Sequence, residues 1–243
     1  MRLLVTRPEP DATRTAERLR ALGHEPVMAP LLETAFLDPP APTFRPSAIL
    51  LTSGNGLRGM LRWPGAADWL DIPVLAVGDR TAEAARAAGY TQVRSAEGDG
   101  EALATLAIAS LDPKAGTLLY PAAVDRAGHW PERLLAAGFT IALAEVYRMD
   151  PVANLPDSVV ADLRQGRLDG VLLYSPRTAK TFAHHVAALD PQPPVDHLSI
   201  YTLSPNVASS VTFGRIFTAP EPTDDALLAL IPQSVGTSPS GVR

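Results

Sequence analysis

The sequence predicts an α/β fold built on parallel strands, and three observations carry that expectation. Short β-branched or leucine-rich runs alternate with alanine-rich stretches along the chain. Most of the runs are apolar from end to end, as strands covered on both faces are. The junctions between them hold Gly, Pro, Ser, Thr or Asp, the residues that start, stop and turn such elements.

In chain order, the clearest strands are Arg2 to Thr6, Ala48 to Thr52, Pro73 to Val77, Thr117 to Tyr120, Ile141 to Arg148, Gly170 to Tyr174 and Leu198 to Leu203. The helices between them show stripes at 3.6-residue spacing: Ala12, Ala16, Leu19 and Leu22 on one face, and Leu103, Leu106 and Ala107 on another. Gly23, Gly89 and Gly138 each follow a helix and precede a strand, where a left-handed residue costs glycine nothing.

The layout is doubled. Leu3-Leu4 matches Leu118-Leu119, Glu17-Arg18-Leu19 matches Glu132-Arg133-Leu134, and Gly23 matches Gly138, all at a constant offset of 115 positions. Leu50-Leu51-Thr52-Ser53 resembles Leu172-Leu173-Tyr174-Ser175 in turn, and Ser95-Ala96 with Ala102-Leu103 resembles Thr218-Ala219 with Ala226-Leu227. Alanine-rich helices also resemble one another by chance, but the ungapped strand-helix-glycine register favours duplication. The chain reads as unit A, unit B, unit A′, unit B′. The proline-rich stretches Asp38 to Pro42 and Asp150 to Pro156 read as linkers between A and B and between A′ and B′. Asp190 to Pro194 reads as a surface loop, and the Ser/Gly/Pro-rich tail from Pro232 to Arg243 is expected to be disordered.

With 243 residues, 46% hydrophobic and 19% charged, the chain has the material for one or two ordinary cores. No apolar run approaches the roughly 20 residues of a membrane helix, and Met1 to Glu9 lacks the pattern of a signal peptide, so a cytoplasmic protein without a membrane partner is expected. The absence of cysteine removes disulfides, thiolate catalysis and thiolate metal sites. A net charge of -5 with scattered basic residues lacks the stripe that a nucleic-acid partner requires. Anionic ligands would fall to single arginines and helix N-termini.

In open parallel sheets, ligands bind beyond the carboxyl ends of the strands. The junctions there are Thr6 to Glu9, Thr52 to Asn55, Gly78 to Thr81, Glu97 to Gly100, Ser175 to Thr178 and Ser204 to Asn206. Each is also a helix start, where Ser, Thr, Asn and Asp are ordinary N-caps and Pro an ordinary first residue. No phosphate loop, dinucleotide fingerprint, H-E-x-x-H, nucleophile elbow or metal-spaced His/Asp/Glu cluster is present. The five histidines, His24, His129, His184, His185 and His197, read as surface or capping residues, and Trp63, Trp69 and Trp130 as packing residues.

At these same junctions the chain resembles the uroporphyrinogen-III synthase family. The matching stretches run from about Met1 to Ile231: Leu3 to Pro8 with its Arg14 to Gly23 helix, L-L-T-S-G-N-G at 50 to 56, A-V-G-D-R-T-A-E-A-A-R-A-A-G at 76 to 89, A-E-V-Y-R at 144 to 148, Y-S-P-R at 174 to 177 and A-P-E-P-T at 219 to 223. The resemblance implies two flavodoxin-like parallel-sheet lobes in a HemD-like, domain-exchanged order, with residues 1–36 and 152–231 in one lobe, 38–149 in the other and 232–243 as the tail. Leu31 to Leu37 and Val146 to Val152 would be the crossing strands of a two-stranded linker, and a hinge would let a cleft close on substrate.

The resemblance further implies ring closure of hydroxymethylbilane, with inversion of ring D, to uroporphyrinogen III and water, by a monomer without metal or other cofactor. Tyr147 matches the family tyrosine proposed to assist departure of the hydroxyl, and it is equally readable as a packing aromatic. Ser53, Thr81 and Ser175 match cleft hydroxyls, Thr6 and Arg7 match a loop facing the cleft, and Asn55, Gly78, Arg177, Ser204 and Asn206 lie in the same helix-start junctions as candidate substrate contacts. The chain departs from the family at Ser204-Pro205-Asn206-Val207, where many members carry Gly-Pro-x-Thr, and at Pro121 to Arg126, where an Arg-Gly start is common and Arg126 is the candidate substitute. The alternative reading is a two-lobed small-molecule binding or sensory module of the same fold without catalysis.

Overall fold

The computed structural model describes residues 1–126 and 128–232. From the N-terminus the chain forms β1 (Arg2–Val5), α1 (Asp11–Ala21), β2 (Glu25–Met28), β3 (Leu32–Phe36) and β4 (Ala48–Leu51). It continues through α2 (Gly54–Met60), β5 (Val74–Ala76), α3 (Asp79–Ala87), β6 (Val93–Ser95), α4 (Gly100–Ser110), β7 (Thr117–Ala123), α5 (Trp130–Ala136) and β8 (Thr140–Pro151). The remainder is α6 (Asp157–Arg164), β9 (Gly170–Leu173), α7 (Pro176–Ala187), β10 (Ser199–Thr202), α8 (Pro205–Ala208), β11 (Arg215–Thr218) and α9 (Asp224–Ala229). The tail expected from Pro232 onward falls, from position 233, outside the described residues.

The chain divides into two compact units. Unit 1 takes Met1–Glu33 and the chain from Asp150 onward, and unit 2 is Thr34–Met149. In unit 1 the strands lie in the order β11-β10-β9-β1-β2, all paired in parallel. In unit 2 the order is β3-β8-β7-β4-β5-β6, parallel from β8 to β6. The sequence repeat maps onto these orders: β1 and β7, β9 and β4, and β11 and β6 hold corresponding places. The repeated glycines also correspond, Gly23 and Gly138 sitting at φ 78° and 88° after α1 and α5. Gly89 ends α3 in the same way at φ 99°.

Strand alternation builds a core on each face of each sheet. In unit 1, Leu4, Val171, Leu173 and Ile200 pack with Phe182 and Leu163 on one side, while Leu3, Val5, Leu172 and Tyr201 pack with Leu19 and Leu227 on the other. In unit 2, Ile49, Leu51 and Val74 meet Leu57, Met60 and Trp63, and Ala48, Leu50 and Leu118 meet Leu103, Trp130 and Leu134. Each such leucine removed from water contributes about 1.5–3 kcal/mol. The three tryptophans are buried, as their reading as packing residues expects. The α1 stripe is buried at Ala12, Ala16 and Leu19, but Leu22 lies beyond the last helical turn and is exposed.

The histidine expectation needs correction at His24. It is 5% exposed, because Gly23 turns the chain from α1 back toward β2 and carries the ring inward, and neither ring nitrogen has a hydrogen-bond partner among the described residues. His185 and His197 instead bond to the backbone carbonyls of Val152 and Leu168, at 3.0 and 3.1 Å.

Candidate active site

The local sequence of α2 builds the site in unit 2. Gly56 and Gly59, one turn apart, face the backbones of β7 and β8: a Cβ at Gly59 would stand 2.7 Å from Val146 Cβ, and one at Gly56 would meet the Pro121 carbonyl. Only a helix with this bare face can lie so close to the sheet. Its N-cap, Ser53, is thereby brought against β8.

Ser53 Oγ accepts a hydrogen bond from the Gly56 amide at 3.1 Å and shares one of 2.9 Å with the Tyr147 phenol. One residue earlier, Thr52 Oγ1 and the Tyr120 hydroxyl lie 3.3 Å apart. Two phenols on the neighbouring strands β7 and β8 are thus each held by a hydroxyl from the carboxyl end of β4.

Both phenols line a cavity of about 460 Å³ together with Thr52, Trp130, Asp99 and Arg126. This volume falls in the range of small-molecule sites. Tyr147 is 8% exposed, so its ring packs in the core while one edge reaches the cavity. Trp130 sets its edge against Tyr120 with ring centroids 4.8 Å apart. Burial raises the Tyr120 phenol above its ordinary value, and the Thr52 hydrogen bond and the Arg126 charge oppose that rise. Arg126 donates to the Ala123 carbonyl at 2.6 Å and to Glu145 at 2.7 Å, which fixes its guanidinium at the rim.

The other candidates of unit 2 border this arrangement. Asn55 donates to Thr34 Oγ1 at 3.3 Å and accepts from Arg58. Gly78 is the extended N-cap of α3, with open space where a side chain would begin. Thr81 is buried in the first turn of α3 and lies outside the cavity lining.

In unit 1, Thr6 is a correction to the expected loop contact. It is fully buried, and its hydroxyl donates to the Leu172 carbonyl at 2.6 Å, tying β1 to β9. Arg7 is bound by Asp224 at 2.9 Å and Asp11 at 3.3 Å and lies over the Tyr174 ring at 4.1 Å. Burial lowers its pKa, and the two carboxylates more than reverse that, leaving it raised. Ser175 caps α7, accepting from the Thr178 amide at 3.1 Å, and Arg177 follows in its first turn. Ser204 begins α8 without a side-chain cap, and Asn206 is exposed on that helix. Val207, where many family members carry threonine, packs into the unit 1 core.

Sequence reasoning missed Tyr120 and Trp130 as cavity residues. The strand was expected to stop at Tyr120, but β7 runs on through Pro121 to Ala123, which lays Tyr120 along the floor. An aromatic at the carboxyl end of a strand was the available signal.

The fold and this cavity define a two-unit parallel α/β protein with paired phenols and hydroxyls at the carboxyl ends of strands in unit 2. Among the described residues no group of His, Asp and Glu could hold a metal ion, and no helix is long and apolar enough to cross a membrane. The profile of uroporphyrinogen-III synthase HemD matches residues 13–229, and the chain belongs to that family. Membership places it in tetrapyrrole biosynthesis with a small-molecule tetrapyrrole substrate. Among solved structures, uroporphyrinogen-III synthetase from Helicobacter pylori is similar at 19% identity with a TM-score of 0.60, covering 95% of this chain and 98% of the other. A mutant uroporphyrinogen III synthase from the extreme thermophile Thermus thermophilus aligns at 17% identity with a TM-score of 0.49, covering 95% and 96%. No curated protein matches.

Proposed function

We propose that this chain closes hydroxymethylbilane to uroporphyrinogen III with inversion of ring D and release of water, acting as a cytoplasmic monomer that supplies no cofactor chemistry. The observation that carries the reading is the family match across residues 13–229. The Tyr147–Ser53 pair supplies its chemistry.

Ser53 Oγ accepts from the Gly56 amide and shares a hydrogen bond with the Tyr147 oxygen in which either hydroxyl can donate; the reactive arrangement is the one in which Ser53 donates to the phenol oxygen. The phenol proton is then available to the cavity. As the C–O bond of the ring A hydroxymethyl breaks, Tyr147 donates that proton and water leaves, while the pyrrole nitrogen pair forms the C=N bond of a cationic azafulvene. Ring D attacks the methylene through its substituted carbon, and the spirocyclic product fragments and recloses. The proton released when the final pyrrole regains aromaticity returns to the phenolate, so protons balance. Such positioned proton donation contributes about 10²–10⁴ in rate, and holding the two rings in register contributes further.

The eight carboxylate arms of the substrate need donors that an acidic protein must supply locally. Ser53, Asn55, Gly78 and Thr81 in unit 2, and Arg7, Ser175, Arg177, Ser204 and Asn206 in unit 1, are the proposed contacts, chiefly through helix-start amides. Arg7 acts here through its backbone and its place on Tyr174, its charge being held by Asp224 and Asp11. The test is to mix purified protein with freshly generated hydroxymethylbilane and follow its consumption. Consumption well above the spontaneous rate is expected, and the spontaneous rate alone would overturn the proposal.

A further inference from the structure

The unit 2 cavity holds a second phenol to which the ring-closure reaction above gives no part. Tyr120 and Tyr147 reach that cavity from opposite faces of the sheet: Tyr120 packs in the core under α4 and α5, and Tyr147 in the core under α2 and α3. The pairing of β7 with β8 shifts register between Ala122 and Ala123 and sets Tyr147 opposite Ala123, and an irregularity of this kind re-aims the side chains beside it. The cavity therefore lies over the carboxyl edge of the sheet with one phenol on each flank. Successive residues at the end of β4 hold them, Thr52 for Tyr120 and Ser53 for Tyr147.

Tyr120 is set rigidly. Trp130 meets its ring edge-on at 64°, and the indole in turn rests on the first residue of α4, where a Cβ at Gly100 would run into Trp130 Cδ1. Any side chain at the start of α4 would push the indole off Tyr120. The charged side chains of the lining are engaged with the protein: Arg126 donates to Glu145, Glu101 accepts from Arg133, Asp99 caps α4, and Asp125 is not free either. Three of these four lining groups are carboxylates, which disfavours an acetate or propionate arm here. What the cavity offers a ligand is aromatic surface and hydroxyls. The Thr52–Tyr120 pair has two hydroxyl protons and spends one between them, so among the described residues one O–H and the phenol lone pairs remain for a ligand. That surface suits an electron-rich ring carrying an N–H.

We infer that Tyr120 is a specificity-determining residue: its oxygen accepts the N–H of ring D and thereby selects the carbon through which that ring attacks. The inference rests on the ring-closure reading. Tyr147 serves the ring A hydroxyl, and the ring that attacks the resulting methylene must enter the same cavity, on the flank that Tyr120 occupies. A pyrrole nitrogen sits between its two α-carbons, so a bond at the nitrogen fixes the rotation of ring D. Held in this way, ring D presents its substituted carbon and type III product follows. Released, it presents its free carbon, and direct closure gives type I. In either case the ring D electron pair forms a new C–C bond to the azafulvene methylene and one proton is lost afterwards, so the outcomes differ only in the carbon that forms the bond.

The test compares product isomers from the wild-type protein, Tyr120→Phe and Tyr147→Phe. Protein concentrations are adjusted so that all three consume hydroxymethylbilane at the same rate, which makes the spontaneous share of type I equal. Tyr120→Phe keeps the ring against Trp130 and removes only the oxygen. It is expected to raise the type I fraction by about fivefold or more, as loss of one neutral hydrogen bond does, while consumption per molecule falls by less than about tenfold. Tyr147→Phe is expected to keep the wild-type isomer ratio. Thr52→Val leaves the phenol without its partner and should shift the ratio the same way, by less. An unchanged ratio in Tyr120→Phe would overturn the inference, and so would an equal shift in Tyr147→Phe, which reports a general loosening of the site. Type III product from the wild-type protein shows that such a failure concerns Tyr120 alone. Type I alone from the wild-type protein, at the spontaneous rate, overturns the ring-closure reading and this inference with it.

Discussion

The Tyr147 phenol and the Ser53 hydroxyl, 94 positions apart in the chain, share a 2.9 Å hydrogen bond at the edge of the unit 2 cavity. Ser53 reaches that position as the N-cap of α2, and Tyr147 reaches it on β8, the strand that the glycine face of α2 covers. The predictions follow from that contact and the groups around it.

Tyr147→Phe removes the proton donor and keeps the ring. Turnover is expected to fall by about 10²-fold or more, with a stability loss within about 1.5 kcal/mol for one hydrogen bond. Steady-state kinetics and a thermal melt on the same preparation check both parts. Full activity would move the chemistry to ring orientation alone.

Ser53→Ala removes an N-cap and the partner of the phenol in one step. Stability is expected to drop by about 1 kcal/mol, and turnover to fall less than in Tyr147→Phe, because the phenol keeps its own proton. A rate loss larger than that of Tyr147→Phe would assign the proton to Ser53.

Gly59→Ala tests the close approach of α2 to the sheet. The added methyl would stand 2.7 Å from Val146 Cβ, immediately before Tyr147. Overpacking of this kind costs about 1–3 kcal/mol, and turnover should fall with it through displacement of the phenol. Gly54→Ala, where nothing lies within 4 Å, is the matched control and should leave both unchanged.

His24 sets a pH dependence of stability. Burial, with the nearby amino-terminal charge, pulls its folded pKa below the ordinary 6.5. The unfolded chain therefore binds the proton more tightly, so stability is fully present above about 6.5 and is lost as pH falls through the lower folded value. Urea denaturation at pH 7.5 and 5.5 should show a lower midpoint at 5.5, and His24→Leu should shrink that difference. An unchanged difference would place the titrating group elsewhere.

At still lower pH the Arg2–Asp162–Arg167 cluster takes over. Burial opposes ionisation of Asp162, and its bonds from Arg2 and Arg167 outweigh that, leaving its pKa below the ordinary 3.8. Its contribution is present above that ordinary value and is lost as pH falls through the folded one. Asp162→Ala should cost about 1–3 kcal/mol at neutral pH, measured by urea denaturation.

The strands read from the sequence are those with neighbours on both sides. Ala48 to Leu51 and Gly170 to Leu173 are buried throughout, so their composition announces them. The strands β2, β6 and β11, absent from the sequence reading, are all sheet edges. Glu25, Arg94 and Arg215 sit in them, and none has the apolar run that a central strand requires. In the site, Tyr147 and Ser53 could each be named, but their contact depends on how closely α2 approaches β8. That closeness comes from Gly56 and Gly59, whose meaning appears only once the sheet beneath them is in place. Thr6 misled for a related reason: a hydroxyl at a strand end reads the same whether it faces solvent or, as here, the next strand's carbonyl.

The central claim is the inversion of ring D, and the isomer formed tests it most directly. Hydroxymethylbilane, generated in place and incubated with the purified protein, is oxidised, and the type I and type III uroporphyrins are separated by chromatography. Predominantly type III product is the predicted result. Type I product alone, formed at the spontaneous rate, would contradict the account.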